Sequence, residues 1–83
     1  MTVTVSVYQR AGCHLCEVAT EQLIALQAQY DFVIEQVDIE TDPVLHARYL
    51  ERIPVISIDG EELYDFELDL ADLKRRIATD QGR

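Results

Sequence analysis

The sequence predicts an α/β fold of order β-α-β-α-β-β-α, a four-stranded mixed sheet with helices on both faces. Three observations carry this. Apolar residues alternate strictly over residues 2–8, then recur at helical spacing from Cys13 onward. A run rich in β-branched and aromatic residues follows from Phe32 to Ile39. Asp59-Gly60 then separates two further short apolar runs, the pattern of a tight hairpin.

Each element has its own reason. In the first strand Val3, Val5 and Val7 share one face, with Thr2, Thr4 and Ser6 on the other. Gly12 breaks that pattern. Cys16, Ala19, Leu23, Leu26 and Tyr30 then step by three and four to form one helix face, which Asp31 ends. Glu17 and Glu21 lie off that face near the helix start, where acids suit the dipole. Phe32–Ile39 reads as the second strand. Thr41-Asp42-Pro43 opens a short helix with a capping side chain and a proline whose missing N–H is harmless in the first turn. That helix is expected to reach about Arg52 and to stop before Pro54, since the residue before proline is pushed out of the α region. Val55–Ile58 and Glu62–Phe66 are the hairpin strands. A last helix has Asp69 as N-cap, Leu68 and Leu73 as a hydrophobic staple, and Leu70, Leu73 and Ile77 on its inner face. Residues 80–83 read as a frayed tail. The first strand–helix–strand unit is a right-handed crossover, so its two strands should be parallel.

The chain has 83 residues, 48% of them hydrophobic, which suits one domain over 1–83 with a single core. Three Gly and two Pro exclude collagen-like and low-complexity classes. No apolar run approaches the roughly 20 residues that span a bilayer. Met1-Thr2-Val3-Thr4 has no secretory pattern, so the expected compartment is the cytosol. Sixteen acidic against seven basic residues give a net charge of −9, which repels phosphate backbones and anionic headgroups. Neither nucleic acid nor a membrane is an expected partner, and the expected state is a monomer.

Cys13-His14-Leu15-Cys16 falls at the junction of the first strand and first helix. In a chain without a secretion signal that spacing suggests redox chemistry or half of a metal site. Zinc would need two more good ligands, and only His14 and His46 are available besides carboxylates, so no metal site is expected. At a helix start, unpaired N–H groups and the dipole would stabilise a Cys13 thiolate below the ordinary thiol pKa of about 8.5. Cys16, one turn in, falls on the core side and within disulfide reach. An exposed nucleophile with a recessed resolving thiol is what thiol–disulfide exchange needs.

The segment Tyr8-Gln9-Arg10-Ala11-Gly12-Cys13-His14-Leu15-Cys16, the element order, and Arg52-Ile53-Pro54-Val55 about forty residues later together resemble the glutaredoxin branch of the thioredoxin superfamily. More narrowly, the chain resembles small bacterial glutaredoxin-like proteins with a Cys-His-Leu-Cys motif, over roughly residues 3–78. The resemblance implies a thioredoxin-like fold and a dithiol–disulfide oxidoreductase, with Cys13 as nucleophile and Cys16 as resolving thiol. It places Arg10 at the basic position before the nucleophile, and it makes Ile53-Pro54 a cis bond that presents the Ile53 backbone to a bound thiol peptide. His14 is either a cation tuning the thiolate or a solvated helix residue. Tyr8 and Tyr64 either line a substrate groove with Ile53 or serve as half-buried packing. Arg48, Arg52 and His46 read as surface residues.

The chain departs from the family where Gly-Gly and an acid usually follow the hairpin. Tyr64-Asp65 stand at the glycine positions, with Glu67 near the acid. Side chains there, one of them anionic, should crowd and repel the carboxylates of glutathione. No cofactor beyond the Cys13–Cys16 pair is expected, and the partner is a disulfide-containing protein or small thiol. The alternative is a thioredoxin-fold binding module or metallochaperone-type protein without turnover. The second thiol, Cys16, favours exchange, since cluster-holding glutaredoxins tend to have one active-site cysteine.

Overall fold

The four strands lie in the order β2-β1-β3-β4, where β1 is Val3–Gln9, β2 Phe32–Asp38, β3 Val55–Ile58 and β4 Glu61–Asp65. The coordinates are a computed structural model that describes residues 3–81, with side chains as far as Thr79. Thr2, expected in the first strand, and Gly82 and Arg83 of the expected tail lie outside the described residues. β1 and β2 are parallel, while β1 with β3 and β3 with β4 are antiparallel, giving the expected mixed sheet. Three helices connect and cover it: α1 (His14–Leu26), α2 (Pro43–Tyr49) and α3 (Leu70–Gln81).

Alternation along the strands builds two cores. Val3, Val5 and Val7 of β1, Phe32 of β2 and Ile56 of β3 pack against Ala19, Leu23 and Leu26 of α1 and Leu73 and Ile77 of α3. On the opposite face Val55 packs with Ile39 and Tyr49, and Tyr8, Leu45, Leu50 and Ile53 close around them. Adjacent Val55 and Ile56 thus anchor opposite sides of one strand, as a buried central strand requires. A bulge in β4 reinforces this division. Ser57 faces Glu62 and Ile56 faces Tyr64, so Leu63 is the extra residue. The bulge lets Glu62 reach the α2 face while Tyr64 packs on the α1/α3 face.

The capping chemistry matches the sequence. The Asp42 carboxylate accepts from the Val44 N–H at 2.8 Å, and that of Asp69 from the Asp72 N–H at 3.1 Å. Asp59 and Gly60 have φ of 48° and 90°, the left-handed pair of a two-residue hairpin turn. Asp59 also ties the turn to β1, accepting at its side chain from the Thr4 N–H at 3.0 Å.

Boundaries differ from the sequence reading for local reasons. α1 ends at Leu26 because the following amides tighten: the Gln27 N–H is shared between the carbonyls of Leu23 and Ile24, and those of Ala28 and Gln29 bond three residues back, to Ala25 and Leu26. Tyr30 keeps its place against the core from this turn. Ile39, expected in the second strand, opens a 3₁₀ turn over Ile39–Thr41 capped by Asp38. α2 stops at Tyr49, three residues short of Arg52, and a turn leads on to Pro54. Phe66 falls outside β4, with φ of 64°. Asp80 and Gln81, expected in the tail, complete α3.

Candidate active site at the start of the first helix

β1 delivers the chain to a short loop, Arg10–Cys13, that must turn sharply into α1. Gly12 makes the turn with φ of 79°, a conformation side chains rarely adopt. Cys13 is then the N-cap residue of α1, with extended backbone. Its carbonyl accepts from the Glu17 N–H at 3.1 Å, and its Sγ accepts from the Cys16 N–H at 3.2 Å. The sulfur therefore occupies the position of a capping oxygen, aimed at the unpaired amides of the first turn. Cys13 and Cys16 are joined as a disulfide with Cα atoms 5.2 Å apart. Cys13 is partly exposed, whereas Cys16 is only 1% exposed and lies beneath it.

Tyr8 pairs with Val55, so the strand end that leads to the cysteines lies beside the strand start that follows Pro54. The Ile53–Pro54 bond is cis, Pro54 is buried and Ile53 packs on the second core. The backbone of this loop is tied to the end of β4, because the Phe66 N–H is shared between the carbonyls of Arg52 at 3.2 Å and Pro54 at 3.0 Å.

Each of the other expected site side chains has a partner of its own. Arg10 pairs with Glu40 at 3.0 Å, and His46 approaches the same carboxylate oxygen at 3.8 Å. The His14 side chain is 85% exposed, its Nδ1 4.0 Å from Glu17. Tyr8 stacks on Tyr49 with ring centroids 4.5 Å apart. Tyr64 packs on the first core and donates its hydroxyl to Asp72 of α3 at 2.5 Å. Burial and then that carboxylate push its phenol up to about 12.

Sequence reading missed two features beside the loop. One is a polar cluster under it: Tyr49 donates to Glu62 at 2.5 Å, Arg48 and Arg52 flank the same carboxylate at 3.2 and 3.1 Å, and Arg52 also reaches Asp65 at 3.3 Å. The Tyr49 hydrogen bond, followed by the arginines, holds the Glu62 carboxyl below its ordinary range. The other is a groove of about 220 Å³ between α1 and residues 66–68, with Leu15, Val18 and Phe66 among its lining residues. Leu15 and Val18 were legible only as residues off the core face, and nothing local marks Phe66. Among the described residues, no group of three or more His, Cys, Asp or Glu is placed to hold a metal ion, and no helix is long and apolar enough to cross a membrane.

Comparisons with known proteins agree with this geometry. The model of the Glutaredoxin-like domain (DUF836) family matches residues 4–78. An uncharacterized protein of Mycobacterium tuberculosis is 33% identical over 79 residues, spanning 89% of this chain and 81% of its own. The solution structure of a protein from Nitrosomonas europaea superposes with a TM-score of 0.81 at 30% identity, covering 93% of each chain. A thioredoxin from Halobacterium salinarum shares the fold, with a TM-score of 0.66 at 22% identity over 93% of this chain and 73% of its own. A thioredoxin-like sheet, a cysteine pair closing the first turn of α1 and a family match over nearly the whole length agree: this chain belongs to the glutaredoxin-like domain family.

Proposed function

We propose that this protein is a thiol–disulfide oxidoreductase that cycles Cys13 and Cys16 between disulfide and dithiol. The observation that carries the reading is the asymmetry of the pair, a partly exposed Cys13 at the helix cap against a Cys16 that is 1% exposed. In the reduced protein the Cys13 sulfur at that cap faces the positive end of α1, which favours the thiolate. The thiolate attacks one sulfur of a substrate disulfide. An S–S bond forms to Cys13, the substrate S–S bond breaks, and the leaving sulfur takes a proton from solvent.

Cys16 then loses its proton and attacks the Cys13 sulfur, closing the intramolecular disulfide and releasing the second substrate thiol. Two electrons have passed from the cysteine pair to the substrate, and an external thiol reductant resets the pair by the reverse exchange. Tight spacing makes the second attack intramolecular, which is its kinetic advantage. The substrate is a protein disulfide or a low-molecular-weight disulfide.

The test is reduction of a small disulfide and of a protein disulfide by the wild type, Cys13→Ser and Cys16→Ser. The wild type should turn over. Cys13→Ser should be inactive, and Cys16→Ser should accumulate a mixed disulfide at Cys13. Activity retained in Cys13→Ser would remove the basis of the reading.

A further inference from the structure

Phe66 combines three properties that rarely meet. Its backbone is left-handed, with φ of 64°, a conformation that strains a residue with a side chain. Its N–H is pinned by the carbonyls of Arg52 and Pro54, so the surrounding loop enforces the conformation. The residue nevertheless remains 50% exposed, so burial does not offset the strain. A strained residue held by its neighbours is a pointer to function. What the strain achieves here is placement, since Phe66 lines the groove whose other wall carries Leu15, Val18 and Gln22. Leu15 and Val18 are 46% and 37% exposed, and Leu15 lies between the two cysteines in the first turn of α1.

The groove is also anionic. Glu67 is its one charged lining residue. Arg52, whose carbonyl holds the Phe66 N–H, is already committed to Glu62 and Asp65. The whole chain carries a net charge of −9, which adds to the field of Glu67. An apolar slot with the Glu67 carboxylate in its lining complements an apolar side chain with a cationic neighbour.

We propose that this groove seats an extended polypeptide whose disulfide-bonded cysteine is flanked by a large apolar residue and by lysine or arginine, and that Phe66 selects for it. This rests on the exchange reading above and gives that reaction its substrate class. Glutathione, anionic and without an apolar side chain, fits the groove on neither count.

The experiment is single-turnover oxidation of the pre-reduced wild type, Phe66→Gly and Glu67→Gln. Three disulfides are compared: a peptide bridged at Leu-Cys-Lys, one bridged at Gly-Cys-Glu, and 2-hydroxyethyl disulfide, with oxidised glutathione as a fourth arm. Phe66→Gly relieves the left-handed backbone, so folding is not at risk. The Leu-Cys-Lys peptide should oxidise the wild type about tenfold faster than the Gly-Cys-Glu peptide, as one apolar contact and one charge pair allow. Phe66→Gly should remove most of that preference while leaving the 2-hydroxyethyl disulfide rate within about twofold. Glu67→Gln should lose the lysine-dependent part, and added salt should do the same in the wild type.

Equal rates for the two peptides, a Phe66→Gly variant slowed equally on all substrates, or oxidised glutathione outpacing the Leu-Cys-Lys peptide would each overturn the proposal. So would a Phe66-dependent dimer of the reduced protein, which would give the groove to a second copy. If 2-hydroxyethyl disulfide oxidises the wild type but the peptide preference is absent, only this inference fails. If none of the disulfides oxidises it, the exchange reading fails too.

Discussion

Tyr49 lies where burial and charge meet. Its ring stacks on Tyr8 and sits under the guanidinium groups of Arg48 and Arg52, at 5.4 and 5.7 Å, while its hydroxyl donates to Glu62. Burial first, then the Glu62 hydrogen bond and charge, push its phenol up to about 12. A phenol that holds its proton more tightly when folded stabilises the fold below its unfolded pKa of about 10, and that contribution drains away as pH rises from 10 toward 12. Stability should therefore fall along an alkaline limb in that window. Tyr49→Phe should flatten part of the limb, and Tyr64→Phe, with its phenol likewise raised to about 12, another part. The same Tyr49→Phe change should cost roughly 0.5–1.5 kcal/mol at pH 8 through the lost hydrogen bond. Urea midpoints measured from pH 8 to 11 check both. An alkaline slope identical in wild type and Tyr49→Phe would mean that this hydroxyl titrates folded as it does unfolded. At this scale the cysteines were legible and most of their neighbours were not. Cys13 and Cys16 are marked by spacing within one helical turn. The partners of Arg10 and Tyr49 are Glu40 and Glu62, which only the folded chain brings near.

α3 shows how far local rules reach. Asp69 caps it with both its backbone and its side chain, accepting from the Leu73 N–H at 3.0 Å and the Asp72 N–H at 3.1 Å. Leu68 and Leu73 pack on the core across that cap. Asp69→Ala should destabilise the protein by about 1 kcal/mol, whereas Asp69→Ser, which keeps a capping oxygen, should lose much less. Urea denaturation of the two variants measures the difference, and equal losses would show that the cap contributes nothing beyond its backbone. Caps, the Asp59-Gly60 turn and the alternation of β1 were legible because each depends on residues within a few positions. The ends of α1 and α2 were not. Tyr30 keeps the apolar spacing of α1, although the amides of Ala28 and Gln29 have already tightened onto carbonyls three residues back. Phe66 continues the apolar content of β4, but its left-handed backbone is imposed by the carbonyls of Arg52 and Pro54.

At the scale of the whole molecule, a sheet with one core on each face leaves the Cys13 loop and the Pro54 loop at one end, joined by the Tyr8–Val55 pairing. The net charge of −9, with Tyr64-Asp65 in place of the two glycines that the resemblance to glutaredoxins implies there, should make glutathione a poor partner. An exposed arginine offsets this by only about 0–1 kcal/mol. Titrating oxidised glutathione into reduced Cys16→Ser and following the mixed disulfide by mass should show little product at low millimolar concentration. Tyr64→Gly with Asp65→Gly should raise the yield. Efficient glutathionylation unchanged by the double replacement would restore glutathione as an ordinary partner.

The central claim is that Cys13 is the attacking thiol and Cys16 the recessed one. Its most direct measurement is the time course of iodoacetamide alkylation of the fully reduced protein at neutral pH, with the modified residue located by mass. Cys13 should take the first label rapidly, because it caps α1 and is partly exposed, and Cys16 should follow much later because it is 1% exposed. Labelling of Cys16 first, or slow and equal labelling of both, would contradict the account.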